Sequence, residues 1–171
     1  MFIHKRDLVA LVLALVLLVA GSGSALADSQ RWTFDDLSAQ QIEDILDTLG
    51  DVMTYERDTD GTGDPMWRIS ITESGLNFSL YVYDDDEDDP DNYESLLARS
   101  GFGMSSPPTI WTVNGYNQEK RFSRAFLDGD GDPIVEADLD VGGGVTDEAI
   151  TRFLLRFSLS VNSFASWIGY Q

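Results

Sequence analysis

The sequence predicts an α+β fold: a five-stranded antiparallel sheet with helices packed on one face, in a single domain. Three observations support it. Beyond residue 37, apolar residues recur at helical spacing near both ends of the chain. Between these ends lie runs in which apolar and polar residues alternate, as in strands with one wet face. The first three runs are joined by connections too short for parallel crossovers, so they form a meander, and a C-terminal hairpin completes the sheet.

The first 27 residues have the pattern of a secretory signal peptide. His4 to Arg6 precede an apolar run over residues 8–20, and the small-residue pattern Ala25-Leu26-Ala27 follows. A membrane anchor is the alternative, but the run is shorter than the roughly 20 residues that a spanning helix needs. We therefore expect cleavage after Ala27 and a periplasmic or secreted mature protein that begins at Asp28.

The mature chain would contain neither His nor Cys, because the single His is His4 and the sequence has no Cys. This composition removes Ser-His-Asp and Cys-His nucleophilic sites, the usual zinc sites and disulfide bonds. We therefore predict a non-enzymatic protein with no catalytic residues, no cofactor and no metal site. A hydrolase built on paired carboxylates stays open as a less favoured alternative.

The chain is strongly acidic, with a net charge of −19. Removal of residues 1–27 leaves nine Lys and Arg residues against 29 Asp and Glu residues, a net charge of −20. Such a protein is repelled by nucleic acid and by anionic membrane surfaces, so we expect neither as a partner. Solubility outside the cell explains the charge, and cation binding or a cationic partner is the alternative.

A helix is predicted over residues 38–49, after a polar leader at residues 28–37. Ser38 is its expected N-cap, Gln41 completes a capping box, and Gly50 follows as the C′ residue. The buried stripe of this helix consists of Ile42, Ile45, Leu46 and Leu49.

Three strands are predicted next, over residues 52–57, 66–72 and 76–83. The acidic residues 84–91 then form a solvated connection, for which weak calcium binding is the alternative. Residues 93–99 are predicted to form one or two helical turns, and residues 109–116 fit either a short helix or a strand.

The hairpin over residues 114–141 is the clearest local prediction. Folding it about Asp130 opposes Arg124 with Glu136 and Phe126 with Ile134. The second strand alternates between an apolar side and a wet side, on which Glu136, Asp138 and Asp140 lie.

A long helix ends the chain. Thr146 is its expected N-cap, and Asp147 and Glu148 occupy the first turn, where the helix dipole favours acids. Its apolar residues recur at helical spacing and are predicted to lie in the core: Ile150, Phe153, Leu154, Phe157, Val161, Phe164, Ala165 and Ile168.

The hairpin turn also has the spacing of a calcium loop. Asp128, Asp130 and Asp132 match the first ligands of an EF-hand, but Pro133 stands where Gly is needed and Leu139 where the bidentate Glu is needed. Turn carboxylates are the preferred interpretation, and a calcium-responsive acidic domain remains the alternative function.

Six residues of the hairpin region form a candidate binding surface: Asn114, Asn117, Arg121, Arg124, Glu136 and Asp138. Glu136 and Asp138 share a strand face near Arg124, either as a charge cluster that fixes register or as part of a ligand-binding surface. Arg121 and Arg124 either form structural ion pairs or capture a carboxylate of a partner. Asn114 and Asn117 either orient the start of the hairpin or bind.

The same region resembles the YbjN family, a group of suggested bacterial sensory transduction regulators. The matching features are Asn114-Gly-Tyr-Asn117, the run from Arg121 to Asp128, Asp130-Gly-Asp-Pro133 and Glu136-Ala-Asp-Leu139, with Tyr116 where the family usually has Trp. The likeness covers roughly residues 38–168, so we expect a YbjN-like domain over residues 38–171.

The resemblance implies a fold like that of type III secretion chaperones, a curved antiparallel sheet with helices against one face. Those chaperones bind protein segments, often as dimers, and the family has no established reaction. It therefore implies protein binding, with a homodimer as one form. Combined with the signal peptide, this gives our expectation of an exported, non-enzymatic protein that engages another polypeptide.

Overall fold

The structure, a computed structural model, describes residues 33–84 and 92–170. The predicted signal peptide, residues 28–32 of the predicted leader and residues 85–91 of the acidic connection lie outside the described residues. All described residues belong to one unit, which spans residues 32–171.

Eight strands and three helices follow one another along the described chain. In order they are β1 Thr33–Phe34, α1 Ala39–Asp47, β2 Met53–Thr59, β3 Pro65–Ile71, β4 Asn77–Tyr83, β5 Ser95–Gly101, α2 Ile110–Glu119, β6 Arg124–Leu127, β7 Pro133–Asp140, β8 Val145–Thr146 and α3 Asp147–Ile168. The main sheet has six strands in the order β2-β3-β4-β5-β7-β6, and β1 and β8 form a small second sheet. Every strand pair is antiparallel.

The predicted α+β class is confirmed, but the predicted number of strands is wrong. The sixth strand is β5, which occupies the stretch predicted to form helical turns over Tyr93–Arg99. Leu, Ala and Arg are good helix formers, so local propensity favoured a helix. Pairing with β4 on one side and β7 on the other overrides that propensity and buries Leu96, Ala98 and Ser100 on one face.

One face of the main sheet is apolar, because alternate residues of each strand point to it. Its fully buried members include Trp67, Ile69, Leu80, Ala98 and Val135. All three helices contact this face or one another above it. Phe157 of α3 packs edge-on against Phe78, with ring centroids 5.1 Å apart. The indole N–H of Trp67 donates a hydrogen bond of 3.1 Å to Glu43 of α1.

Helix α2 joins this layer through α3. Tyr116 packs edge-on against Phe164, with centroids 4.9 Å apart, and its hydroxyl donates to the backbone carbonyl of Ser160 at 3.2 Å. The side chain of Thr109 accepts from the backbone N–H of Thr112 and caps the helix. The sequence predicts either a short helix or a strand over residues 109–116. The cap shows that they form the start of α2.

The caps of the other two helices follow the sequence closely. Ser38 and Gln41 form the predicted capping box, and Thr146 caps α3 by accepting from the backbone N–H of Ala149. The predicted end of α1 is wrong. The helix stops at Asp47 with Thr48 as C-cap, and Gly50 does not have the positive φ of a C′ glycine.

The segment before α1 is tied to the domain at two places. Thr33 and Phe34 pair with Thr146 and Val145. Leu37 is fully buried and exchanges backbone hydrogen bonds of 3.0 and 2.8 Å with Tyr93.

The register of the C-terminal hairpin is confirmed: Arg124 lies opposite Glu136 and Phe126 opposite Ile134. The turn closes on itself, because the carboxylate of Asp128 accepts the backbone N–H groups of Asp130 and Asp132, each at 2.9 Å. In the described part of the chain, no helix is long and apolar enough to cross a membrane.

Candidate functional site

The face of the main sheet opposite the helices carries a row of polar residues that crosses all six strands. Strand pairing aligns Glu56, Arg68, Ser79, Arg99, Glu136 and Arg124 in this order from β2 to β6. We call this row the polar row and the surface around it the polar face. The row contains three arginines in a chain whose net charge is −19.

Glu136 is the centre of the charged end of the polar row. The guanidinium of Arg124 donates to its Oε1 from Nε at 2.7 Å, and Nη2 lies 2.6 Å from the same oxygen. Arg99 approaches from the other side, with its Nε 3.8 Å from Oε2. Hydrogen bonding to Glu136, followed by the charges of Glu136 and Asp138, raises the pKa of Arg124 further above its ordinary value.

The sequence places Glu136 on a wet side of its strand, and the structure corrects this. Glu136 is only 6% exposed, although its side chain faces away from the core. Strand pairing places Glu136 between Arg99 of β5 and Arg124 of β6. The side chain of Asp138, on the same face, is 58% exposed. Glu136 is therefore the buried carboxylate of this ion network, and Asp138 is a solvent-exposed carboxylate at its edge.

Arg99 is the arginine of this network whose N–H groups are available to a ligand. Its guanidinium stacks over the ring of Phe126 at 5.6 Å, and its side chain is 40% exposed. Within residues 33–84 and 92–170 it donates no hydrogen bond, whereas a guanidinium has five donors. A carboxylate or carbonyl on a ligand can therefore bind to Arg99 without breaking an existing hydrogen bond.

An open depression of about 560 Å³ lies along the row beside Arg99. Hydroxyl, amide and charged side chains dominate its lining, which is formed by Thr54, Tyr55, Glu56, Arg68, Ser70, Asn77, Phe78, Ser79, Arg99, Ser100 and Gly101. Several of these groups bond one another: Ser70 donates to the side chain of Asn77 at 2.6 Å, and Ser100 to its backbone carbonyl at 2.7 Å.

Arg68 stands at the β3 side of this depression. Its Nε donates to Asp58 at 3.0 Å, and its Nη2 lies 2.8 Å from the same carboxylate oxygen. The backbone N–H of Thr59 and then the charge of Arg68 hold the pKa of Asp58 below its ordinary value. Both groups are therefore charged at neutral pH, and the depression is polar at each end.

The six residues predicted as a binding surface do not form one surface. Arg124, Glu136 and Asp138 come together on the polar face. Asn117 is structural, because its side-chain amide donates to the backbone carbonyl of Ala125 and accepts from its N–H, each at 2.8 Å. Asn114 is exposed on α2 one turn earlier, and Arg121 stacks on Phe122.

Sequence reasoning predicted none of the residues that line the depression, and the missed residues include Arg68, Ser79 and Arg99 of the polar row. The alternation of β3 and β4 could have placed Arg68 and Ser79 outside the core. Their alignment depends on the register between strands. Because the sequence predicts helical turns where β5 lies, it gives no strand position for Arg99.

The acidic turns use their carboxylates locally. Asp60 accepts the backbone N–H groups of Thr62, Gly63 and Asp64 at 2.8 to 3.1 Å, and the hydroxyl of Thr62 contributes most to lowering its pKa. No group of three or more His, Asp or Glu side chains suited to a metal ion occurs in the described residues.

Comparison with protein families identifies the class of this protein. The family model described as "YbjN: Putative bacterial sensory transduction regulator" matches residues 38–169. The chain therefore belongs to the YbjN family. Searches of curated proteins and of solved structures gave no match.

Replacement of Asn117 by alanine tests its structural role. The Asn117→Ala variant loses both hydrogen bonds to Ala125, so we expect its free energy of unfolding to fall by about 1–3 kcal/mol. Asn114→Ala is the matched control, because Asn114 lies one turn earlier on the same helix and its side chain forms no hydrogen bond with the described residues, so the free energy of unfolding should change by less than about 0.5 kcal/mol. Urea denaturation measures both, and equal effects would contradict the assignment.

Replacement of Glu136 by glutamine tests the ion network. Glu136→Gln removes a charge-assisted hydrogen bond from Arg124, and we expect a loss of about 1.5 kcal/mol, because the arginines stay solvated. Asp138→Asn removes the same charge from the exposed rim and should cost less than about 0.5 kcal/mol. If both variants melt at the same temperature, Glu136 is not the centre of the network.

Proposed function

We propose that this protein is an exported, non-enzymatic binding protein of the YbjN family, which acts as a sensory transduction regulator by engaging another polypeptide on its polar face. The observation that carries the proposal is the polar row, in which Arg99 is half-exposed beside an open depression and donates no hydrogen bond to any described residue.

The lining of the depression favours a polypeptide over a small molecule. Small-molecule sites are concave, mostly apolar and bury most of their ligand. This depression is open and carries arginines, hydroxyls and amides, which resemble the polar, hydrogen-bonding parts of protein interfaces. Backbone carbonyls and side-chain carboxylates of a bound segment would supply acceptors for Arg99 and for the hydroxyl of Ser79.

The composition supports a role without catalysis. Past residue 27 the chain has no His and no Cys, so the common nucleophile and general-base pairs cannot be built. Two carboxylates of the polar face are engaged in close ion pairs, Asp58 with Arg68 and Glu136 with Arg124.

The N-terminal pattern supports export. A basic start, a short apolar run and a small-residue end precede the family domain, which begins at residue 38. The protein recovered from the cell envelope or the medium should therefore have a mass that corresponds to a chain beginning at Asp28. Recovery of the uncut chain in the membrane fraction would contradict export.

Site-specific photo-crosslinking in the producing cells tests the binding surface. A photoreactive phenylalanine at Ser79 lies in the depression, and the same residue at the exposed Ser166 of α3 is the matched control. We expect a discrete protein adduct from position 79 that is absent from position 166 and that Arg99→Gln weakens.

Absence of an adduct at position 79 would contradict the choice of surface. Turnover of a substrate by the purified protein in a broad hydrolase screen, lost when Glu56 or Glu136 is replaced, would contradict the non-enzymatic role.

A further inference from the structure

A strained aromatic residue lies between α2 and β6, on the helix side of the sheet. Phe122 has a φ of +70°, and it is the one non-glycine residue with positive φ in the described chain. This conformation is unfavourable for a bulky residue. Its side chain is nevertheless 59% exposed, so burial of the ring does not compensate for the strain.

Two guanidinium groups from different elements flank the ring. Arg121 lies beside it in the chain, with its Cζ 5.1 Å from the ring centroid, and Arg156 reaches it from α3, with its Cζ at 4.7 Å. Both arginines are exposed. Stacking on the ring orients the two cations and holds them at one spot.

Among the described residues, these cations lack the acidic partners that the other described arginines have. Arg57, Arg68, Arg99, Arg124 and Arg152 each lie within 4.0 Å of a carboxylate. In residues 33–84 and 92–170, Arg121, Arg156 and the neighbouring Lys120 form no such pair. In a chain with 30 acids and 11 bases, pairing is the ordinary outcome for a cation, so this site is an exception.

The arrangement has the composition of an interaction hot spot, in which aromatic and arginine side chains dominate. Guanidinium groups without partners bind carboxylates through two parallel hydrogen bonds. The exposed ring offers an apolar contact at the same place. A second copy of this chain is a poor occupant, because each copy carries a net charge of −19.

We infer that Phe122, Arg121 and Arg156 form a docking site for a segment of another protein that carries Asp or Glu next to an apolar side chain. The site lies on the helix side, so it is separate from the polar face and can be occupied at the same time. We call it the arginine–phenylalanine site.

Selection from a random-peptide display library on the intact purified protein tests this inference. We expect the selected peptides to be enriched in Asp and Glu beside an apolar residue. Replacing those acids by Asn and Gln in a synthetic peptide should weaken binding by roughly tenfold or more, because the charge-assisted hydrogen bonds are lost.

Matched double variants assign the binding to these arginines. Arg121→Gln with Arg156→Gln should weaken the selected peptide by roughly tenfold or more. Arg57→Gln with Arg152→Gln removes the same charge from two arginines that form ion pairs with carboxylates, and Arg152 lies one turn away from Arg156 on α3. This double variant should change the affinity by less than about threefold. Circular dichroism melting checks that each double variant is folded.

Phe122→Gly separates the two roles of the residue. Glycine accepts the positive φ, so this variant should fold at least as stably as the parent chain and still lose affinity for the peptide. Unchanged affinity would overturn the role of the ring.

Selection of peptides without excess Asp or Glu, or peptides that bind both double variants equally, would overturn the inference. So would retention only on phosphatidylglycerol vesicles, or a dimer that the Arg121 and Arg156 replacements abolish. None of these results depends on the adduct at Ser79, so failure of this site and failure of the polar face remain distinguishable.

Discussion

Burial of the apolar face of the sheet under α3 is the interaction on which the rest of the structure depends. The chain has no Cys, so packing and not disulfide bonds must provide its stability. Phe157 packs on Phe78, and Phe164 packs between Phe102 and Tyr116. Each such side chain contributes roughly 1.5–3 kcal/mol when it is fully buried. The polar contacts reinforce this layer: Tyr116 bonds to Ser160, and Trp167 donates to the carbonyl of Thr112 at 2.8 Å.

This one-sided packing leaves the other face of the sheet free for charged residues. The strands alternate, so the residues opposite the core form a continuous row whatever their chemistry. Here the row carries three arginines and two glutamates in a chain rich in Asp. Glu136 holds Arg124 tightly and Arg99 loosely, and the loosely held guanidinium faces the depression. Arg124 is thus held by a close ion pair, and Arg99 is the guanidinium to which we assign ligand binding in the proposal.

Local patterns predicted most of the elements, because their signals lie within a few residues. The capping box at Ser38, the cap at Thr146 and the turn at Asp128 depend on side chains that bond to nearby backbone. The hairpin register followed from its turn, so the contact of Arg124 with Glu136 was predictable. Strand β5 was not, because Leu96 to Arg99 has helical propensity and becomes a strand only between β4 and β7.

The same limit applies to the candidate site. Asn117 and Arg124 are conspicuous in the sequence. Whether such a side chain bonds within the domain or is available to a partner depends on which backbone groups and carboxylates lie within hydrogen-bond distance of it. Arg99 and Arg68 were not singled out, although they line the depression. Their alignment depends on the register between paired strands, and the partner of β5 on the side of Glu136 is β7, which is distant from it in sequence. Strain at Phe122 has no sequence signal, because no residue type there demands positive φ.

One face of the sheet supports the fold, and the opposite face is the one that we propose binds a partner. Ser79 and Leu80 are neighbours in β4 that point to opposite faces, and Leu80 is fully buried. Urea denaturation of Ser79→Tyr and Leu80→Ala compares the two faces at adjacent positions. We expect Leu80→Ala to lose about 2–5 kcal/mol and Ser79→Tyr to stay within about 1 kcal/mol of the parent chain. A loss at Ser79→Tyr as large as that at Leu80→Ala would show that both faces are packed and that the polar face is not free to bind a partner.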